Sequence, residues 1–308
     1  MNIQTIQFSR EKNAEFVKEL KHRVNQYFKE KGISKHANFS MVFKTVCMVA
    51  ILVVPYGFMM SGLISSIWIH YLMWVIMGIG VSGIGMSVMH DANHGAYSKN
   101  RTINRIIGRF IDLVGGNATN WKMQHNVLHH TFTNIQGQDE DIDAGRVIRF
   151  SKHSKWINIH KFQKFYSFFL YGLLTINWAI TTDFKQMNSY LKRKLSYGKF
   201  PNPATEWTKL IISKVIYYAV WIVLPILVLD IAWWKVLIGF FVMHYTAGLI
   251  LSLVFQLAHI MEDAEMPMPE ASGTMKNTWA IHQLLTTVNF STKNRFVNWF
   301  TGGLNHGV

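Results

Sequence analysis

Four stretches of the chain are almost free of charge, and each is long enough to cross the hydrocarbon core of a bilayer, which takes about 20 helical residues. They fall near 41–62, 65–88, 210–229 and 233–256. Lys44, Lys214 and Lys235 interrupt them; a lysine near a span end is expected to snorkel to the interface. The short connections near 61–64 and 230–232 pair the spans into two hairpins. Ahead of the first span, Phe16, Val17, Leu20, Val24, Tyr27 and Phe28 recur at helical spacing up to Gly32, which predicts an amphipathic helix on the membrane surface within a cytosolic N-terminal segment, 1–40. A fifth apolar stretch, Phe165 to Thr181, is shorter and carries Tyr166, Asn177 and Trp178; it is expected to lie in the interface. The pattern predicts an all-α integral membrane domain over 41–308, with four transmembrane helices in two hairpins. A cytosolic helical cap, 89–207 and 257–308, completes it, with Pro201 and Pro203 marking the exit from its first part.

Charge fixes the expected orientation. Lys and Arg number 31 against 17 acidic residues, a net +14, which by itself would suit a nucleic-acid partner. Yet 28 of the 31 lie in 1–44, 90–207 and 257–308, while the short connections hold none. That asymmetry is the positive-inside pattern and places both tails and the long middle loop in the cytoplasm, at the inner membrane if the protein is bacterial. The excess then reads as topology plus attraction to anionic lipid, with no nucleic acid implied. No secretory signal is expected, because the first 40 residues are polar and the first apolar stretch is too long for an h-region. Cys47 is the only cysteine, which removes an intrachain disulfide and paired-thiol chemistry.

Candidate chemistry gathers at the span ends. His90 and His94, in His-Asp-Ala-Asn-His, follow the second span. Residues four apart on a helix share a face, with Cβ atoms about 5–6 Å apart, so both imidazoles can meet one ion; a pair of interfacial histidines is the plainer alternative. His125, His129 and His130 repeat the spacing with one extra histidine. On an α-helix His125 and His129 share a face, while His130 is turned about 100° away and is free to serve a second ion. His259 directly follows the fourth span, so two hairpins return it to the side that holds the other five; its alternative is a capping role. Six imidazoles exceed the roughly four donors that one zinc takes, so two metals are expected. With no thiolate available, an all-histidine di-iron site is the best match. His282 and His306 are undecided, and His70 and His244, inside spans, are expected to pack helices.

The acidic run Asp139-Glu140-Asp141 with Asp143 stands out in a basic loop. Either it is solvated, or Asp139, Asp141 and Asp143, with Asp91, accept the second ring N–H of ligand histidines and fix their orientation. Asn117, Asn120, Trp121 and Asn134 flank the second cluster and are candidates for the same polar shell. Gly78-Ile79-Gly80-Val81-Ser82-Gly83 fits a dinucleotide fingerprint but lies inside an apolar span with no preceding strand. Gly78/Ser82 and Gly83/Ser87 instead give the small-residue spacing that lets membrane helices approach closely.

Four spans in two hairpins, His-Asp-x-x-His after the second and His-x-x-x-His-His further along, resemble the membrane fatty acid desaturases. Gln124-His125-Asn126, Thr286 to Phe290 (Thr-Thr-x-Asn-Phe) and Gly302 to Asn305 (Gly-Gly-Leu-Asn) are similar to the front-end, linoleoyl-CoA-like subgroup. The resemblance implies insertion of a double bond into a fatty acyl-CoA or acyl-lipid, using O2 as co-substrate and two electrons at two iron ions, with His90, His94, His125, His129, His130 and His259 as ligands. Trp68, Trp74 and Trp178 are candidates to line the acyl tunnel, with interfacial anchoring as the alternative. No His-Pro-Gly-Gly haem motif occurs, so the implied electron donor is a separate ferredoxin or cytochrome b5 type protein.

One departure stands out. The family's third box, Gln-x-x-His-His, is expected just after Gly-Gly-Leu-Asn, whereas the sequence reads Asn305-His306-Gly307-Val308. Either the chain is truncated before that box, which is the expectation because nothing upstream has decayed, or it is a variant that has lost part of its site. In both cases it is expected to bind iron incompletely and not to turn over. Two alternatives to a desaturase are a di-iron membrane hydroxylase and a non-enzymatic metal-binding membrane protein or transporter.

Overall fold

The computed structural model describes residues 6–9, 14–197 and 202–307; Pro201 lies outside them. Four helices are long and apolar enough to cross a membrane: Phe39–Met60, Ile67–Asn93, Pro203–Val228 and Trp233–His259. These are the four expected spans, and the protein is an all-α membrane protein, with one two-residue parallel pairing among the described residues, Gln7–Phe8 with Thr274–Met275. The second span runs past residue 88 to carry His90 on its last turns, and the fourth ends on His259 itself.

The second span is the centre of the bundle: 72% of its apolar window is enclosed, against 22% for the first and third. Small residues allow this. A Cβ on Gly78 would lie 2.5 Å from the Met243 carbonyl of the fourth span, and one on Gly80 would lie 2.8 Å from Leu52 N of the first. Trp74, expected at an interface or a tunnel wall, is instead fully buried, with its indole against Gly239. Trp68, by contrast, is exposed. A Gly78→Ala variant is expected to lose about 1–3 kcal/mol, since backbone cannot yield to the added methyl. Unfolding in detergent measures it, and an unchanged midpoint would show that the spans are free to separate.

Two of the three span lysines do not snorkel. Lys44 is buried with its ammonium near Gly302, and Lys214 is buried on Asp183. Lys214 has its partners inside the protein, which removes its reason to reach for water. Phe165 to Thr181 does not form a spanning helix: it is broken at Gly172–Leu173 into Gln163–Tyr171 and Leu174–Asn177. It lies along the fourth span, where Thr175 Oγ1 donates to His244 O at 2.8 Å and Ser252 Oγ to Tyr171 O at 3.1 Å. His244 is buried between spans, on the Tyr217 hydroxyl at 2.5 Å and on Thr175 Oγ1 at 2.9 Å. The N-terminal helix Ala14–Glu30 buries none of its residues and leaves Phe16, Leu20, Val24 and Tyr27 exposed.

Candidate metal centre

Two elements bring the histidines together. His90 and His94 sit on the last turns of the second span and its cap, where His94 N donates to His90 O at 3.0 Å. Residues 118–132 form the second element. Asn117 caps it, its side chain accepting from Thr119 N and Asn120 N. From Lys122 to His129 the winding is that of a π-helix, and His130 N donates to His125 O, a span of five residues. Such turns bring i and i+5 together and recur at functional sites. His130 is thereby moved off the side where an α-helix would put it. Its Nε2 stands 3.1 Å from His125 Nε2, which in turn stands 3.1 Å from His90 Nε2. His130 therefore joins His90, His94 and His125 in one group of four, with ligand atoms all within 4.8 Å of one another. The α-helical expectation of His130 facing away from His125 is corrected by the π winding.

An ion fits this group. Donors about 2.0–2.1 Å from one ion stand roughly 3.0–3.4 Å apart across adjacent positions. Without an ion, His125 Nε2 has two imidazole nitrogens at contact distance and can serve only one of them by hydrogen bonding. His94 Nε2 is buried with no hydrogen-bond partner at all, a costly state unless a ligand takes its lone pair. Burial first, then the neighbouring imidazoles, hold His94 down at about 4 and push His125 and His130 well below the ordinary histidine range. These three rings are thus neutral donors at pH 7.

His129 differs. Its Nδ1 lies 3.1 Å from Asp139 and 3.3 Å from Asp141. Burial opposes charge here, but the two carboxylates outweigh it and lift His129 to about 9. Burial also opposes the Asp139 anion, which His129 and the backbone N–H groups of Asn134 and Asp141 nonetheless keep ionised. Burial raises Asp141 to about 7. His125, His129 and Asp141 also fall within 4.8 Å, but His129 Nδ1 already faces Asp139. Asp141 is better placed behind the rings than on an ion, and Gln124 donates to it.

The remaining candidates separate cleanly. His259 stacks edge-on against His129, centroids 4.8 Å apart, and donates from Nδ1 to Thr286 O at 3.3 Å. Asp91 lies 3.3 Å from His90 Nδ1. Asp143 is exposed and accepts from Gly145 N, away from the rings. Asn134, with φ of 58°, donates from Nδ2 to His259 O at 2.8 Å and from its backbone N to Asp139 at 2.8 Å. It ties the fourth span to the acidic loop. Asn117 caps a helix and Asn120 donates to Asp183 O at 2.7 Å, so both serve the scaffold. Trp121 packs on the rings themselves, 4.3 Å from His125 and 5.6 Å from His90. With Trp178 it lines a small cleft that also includes Ile111, Gly116, Asn117 and Asp183. His282 donates to Thr133 O at 2.8 Å and His306 is exposed. His70 lies on Ser66 O at 3.1 Å. Reading the residues alone missed Thr286 and Phe255, which flank His259; Thr286 had a signal, in its Thr-Thr-x-Asn-Phe run.

Comparison with known proteins agrees with this chemistry. The pattern of the fatty acid desaturase family matches residues 66–307. A sn-1 linoleoyl-lipid 6-desaturase of Arthrospira platensis is 35% identical over 96% of this chain and 79% of its own length. One of the same name from Synechocystis sp. is 36% identical over 95% and 81%. An acyl-lipid (8-3)-desaturase of Physcomitrium patens is 30% identical over 99% of this chain and 63% of its own length. Neither a hydroxylase nor a metal transporter is favoured, and the chain belongs to the fatty acid desaturase family, among its front-end members.

Proposed function

We propose that the enzyme desaturates an acyl chain carried on a membrane glycerolipid, with a linoleoyl chain at sn-1 and carbon 6 as the first substrate and position to test, by likeness to the relatives. The observation that carries the reading is the convergence of His90, His94, His125 and His130 at one end of the bundle, with His129 and His259 against them. An all-nitrogen donor set suits iron, and these six histidines would hold it, with His129 giving up its second ring proton on binding. Bound iron supplies, from O2 and two electrons, the oxidising power needed to take hydrogen from an unactivated methylene.

The protein's own residues do the rest. Trp121 and Phe255 close the rings off from water on two sides. Asp139 holds the His129 proton on Nδ1, which leaves Nε2 free to bind, and Asp91 is placed to do the same at His90. An Asp139→Asn variant is expected to lower metal affinity about 10–100-fold, read by metal titration of the purified protein. Unchanged affinity would make Asp139 structural only.

The cap and both termini are assigned to the cytoplasmic side, at the inner membrane if bacterial, on the distribution of Lys and Arg. A separate ferredoxin or cytochrome b5 type donor would deliver electrons there. Expression of the full reading frame in a host fed linoleic acid, followed by fatty-acid profiling and sn-position analysis, tests the function. A new double bond at carbon 6 is expected; a hydroxylated product, or none in the presence of a working donor, would overturn the reading.

A further inference from the structure

The short helix Arg101–Gly108 shows three distinct faces. Asn104 and Gly108 are buried, and Gly108 O accepts from Asn93 Nδ2 at 3.0 Å. A side chain on Gly108 would overlap Asn93, so the helix is seated directly on the turn that carries His90 and His94. Opposite, Ile103 is 41% and Ile106 is 58% exposed. Between these faces Arg101, Arg105 and Arg109 recur every four residues and are exposed.

Where the chain goes next sets the level of this helix. Leu113 O accepts from Trp221 Nε1 of the third span at 3.0 Å, and Gly115 O accepts from Lys214 Nζ at 2.7 Å. Within a few residues, then, the chain has entered the spanning bundle. Exposed isoleucines beside an arginine face suit the bilayer surface, where the first reach acyl chains and the second meet headgroups. Lys122, at the start of the histidine-bearing π turn, completes the basic face: it is half-buried, in the field of Arg105 and Arg109. Among the described residues none of these three cations forms an ion pair. Asp112, in the field of Arg109 and Lys122, offsets only part of the charge of the three neighbouring cations, and a multivalent anion relieves the repulsion that is left.

We propose that Arg105, Arg109 and Lys122 form a binding site for the phosphate of an anionic glycerophospholipid headgroup in the bilayer. Ile111, two residues beyond Arg109, lines the cleft that Trp121 shares with the imidazoles. A lipid held by its phosphate at this face has its acyl chains beside that cleft, so the site selects lipids by headgroup charge. The inference does not depend on the desaturase reading, because binding is measured without turnover.

The test uses the intact protein in neutral detergent, titrated with phosphatidylglycerol or phosphatidylcholine and followed by native mass spectrometry and thermal unfolding. Phosphatidylglycerol is expected to be retained and to raise the midpoint, with phosphatidylcholine much weaker. The triple variant R105Q/R109Q/K122Q should weaken phosphatidylglycerol binding at least about tenfold, while R105K/R109K/K122R keeps most of it. Equal binding of the two lipids by the wild-type protein overturns the proposal, whether or not the glutamine variant folds. So does undiminished binding in that variant, or competition by inorganic phosphate at the same concentration as the lipid, which would mark a site for soluble phosphates.

Discussion

Replacing His125 with alanine is expected to abolish desaturation and to strip the centre of metal, where loss of a peripheral histidine leaves part of it. The geometry singles this residue out. Its Nε2 is 3.1 Å from those of both His90 and His130. Its ring centroid lies 5.0 Å from His90, 5.1 Å from His94, 5.3 Å from His129 and 4.5 Å from His130. No other imidazole touches all four of these. Removing it withdraws one donor and also the packing that Trp121 uses to seal the site. His259→Ala is the comparison: His259 is in ring contact with His129 alone among the other histidines, so its loss should leave a partly loaded centre. Iron per protein and fatty-acid profile, measured on the full reading frame, check both. Retention of full iron by the His125 variant would sink the assignment of His125 as the hub.

Most of the architecture was legible because bilayers impose a length and a polarity on any span. Charge-free runs of the right length therefore located all four helices, and the same rule kept Phe165 to Thr181 from being read as a fifth. What hydropathy does not encode is how helices end and what they bury. The second span continues through His90 to Asn93 because the cap packs around it, not because those residues are apolar. Lys214 sits in an apolar run and reads as a snorkelling residue; only the fold reveals that Asp183, 31 positions away in sequence, meets it.

The histidines illustrate the same limit at finer scale. Their spacing pointed to metal, since two clusters at i, i+4 are rare by chance, but which rings would meet depended on helical winding. An α-helix pairs His125 with His129. The π turn over Lys122–His129 instead brings Nε2 of His125 and His130 together and leaves His129 facing Asp139. A π turn follows from tertiary packing around a site and has no reliable mark in composition. Asn134 was visible only as a flanking residue; its left-handed φ, which Asn tolerates better than most residues, lets one residue join the fourth span through its side chain to the acidic loop through its backbone N–H.

A Lys214→Met variant is expected to lose about 3–5 kcal/mol of stability, the usual cost of stranding one member of a buried ion pair. Lys214 Nζ donates to Asp183 at 2.6 Å, to Gly115 O at 2.7 Å and to Trp178 O at 3.1 Å, with side chains 4% and 5% exposed across the pair. In the variant the Asp183 carboxylate keeps, among the described residues, only Asn120, at 3.3 Å, as a side-chain donor. Two backbone carbonyls lose the same ammonium. Removing both charges, as Lys214→Met with Asp183→Leu, should be less damaging than Lys214→Met alone, because no bare charge remains. The two carbonyls still lack the ammonium, so recovery is partial. Unfolding in detergent ranks the three proteins, and a single variant as stable as the parent would show that water reaches Asp183. The consequence extends to activity: Trp178 and Asp183 line the cleft beside Trp121. Loosening this pair should therefore disturb the cleft while leaving metal affinity nearly intact, which separates it from the effect of losing His125.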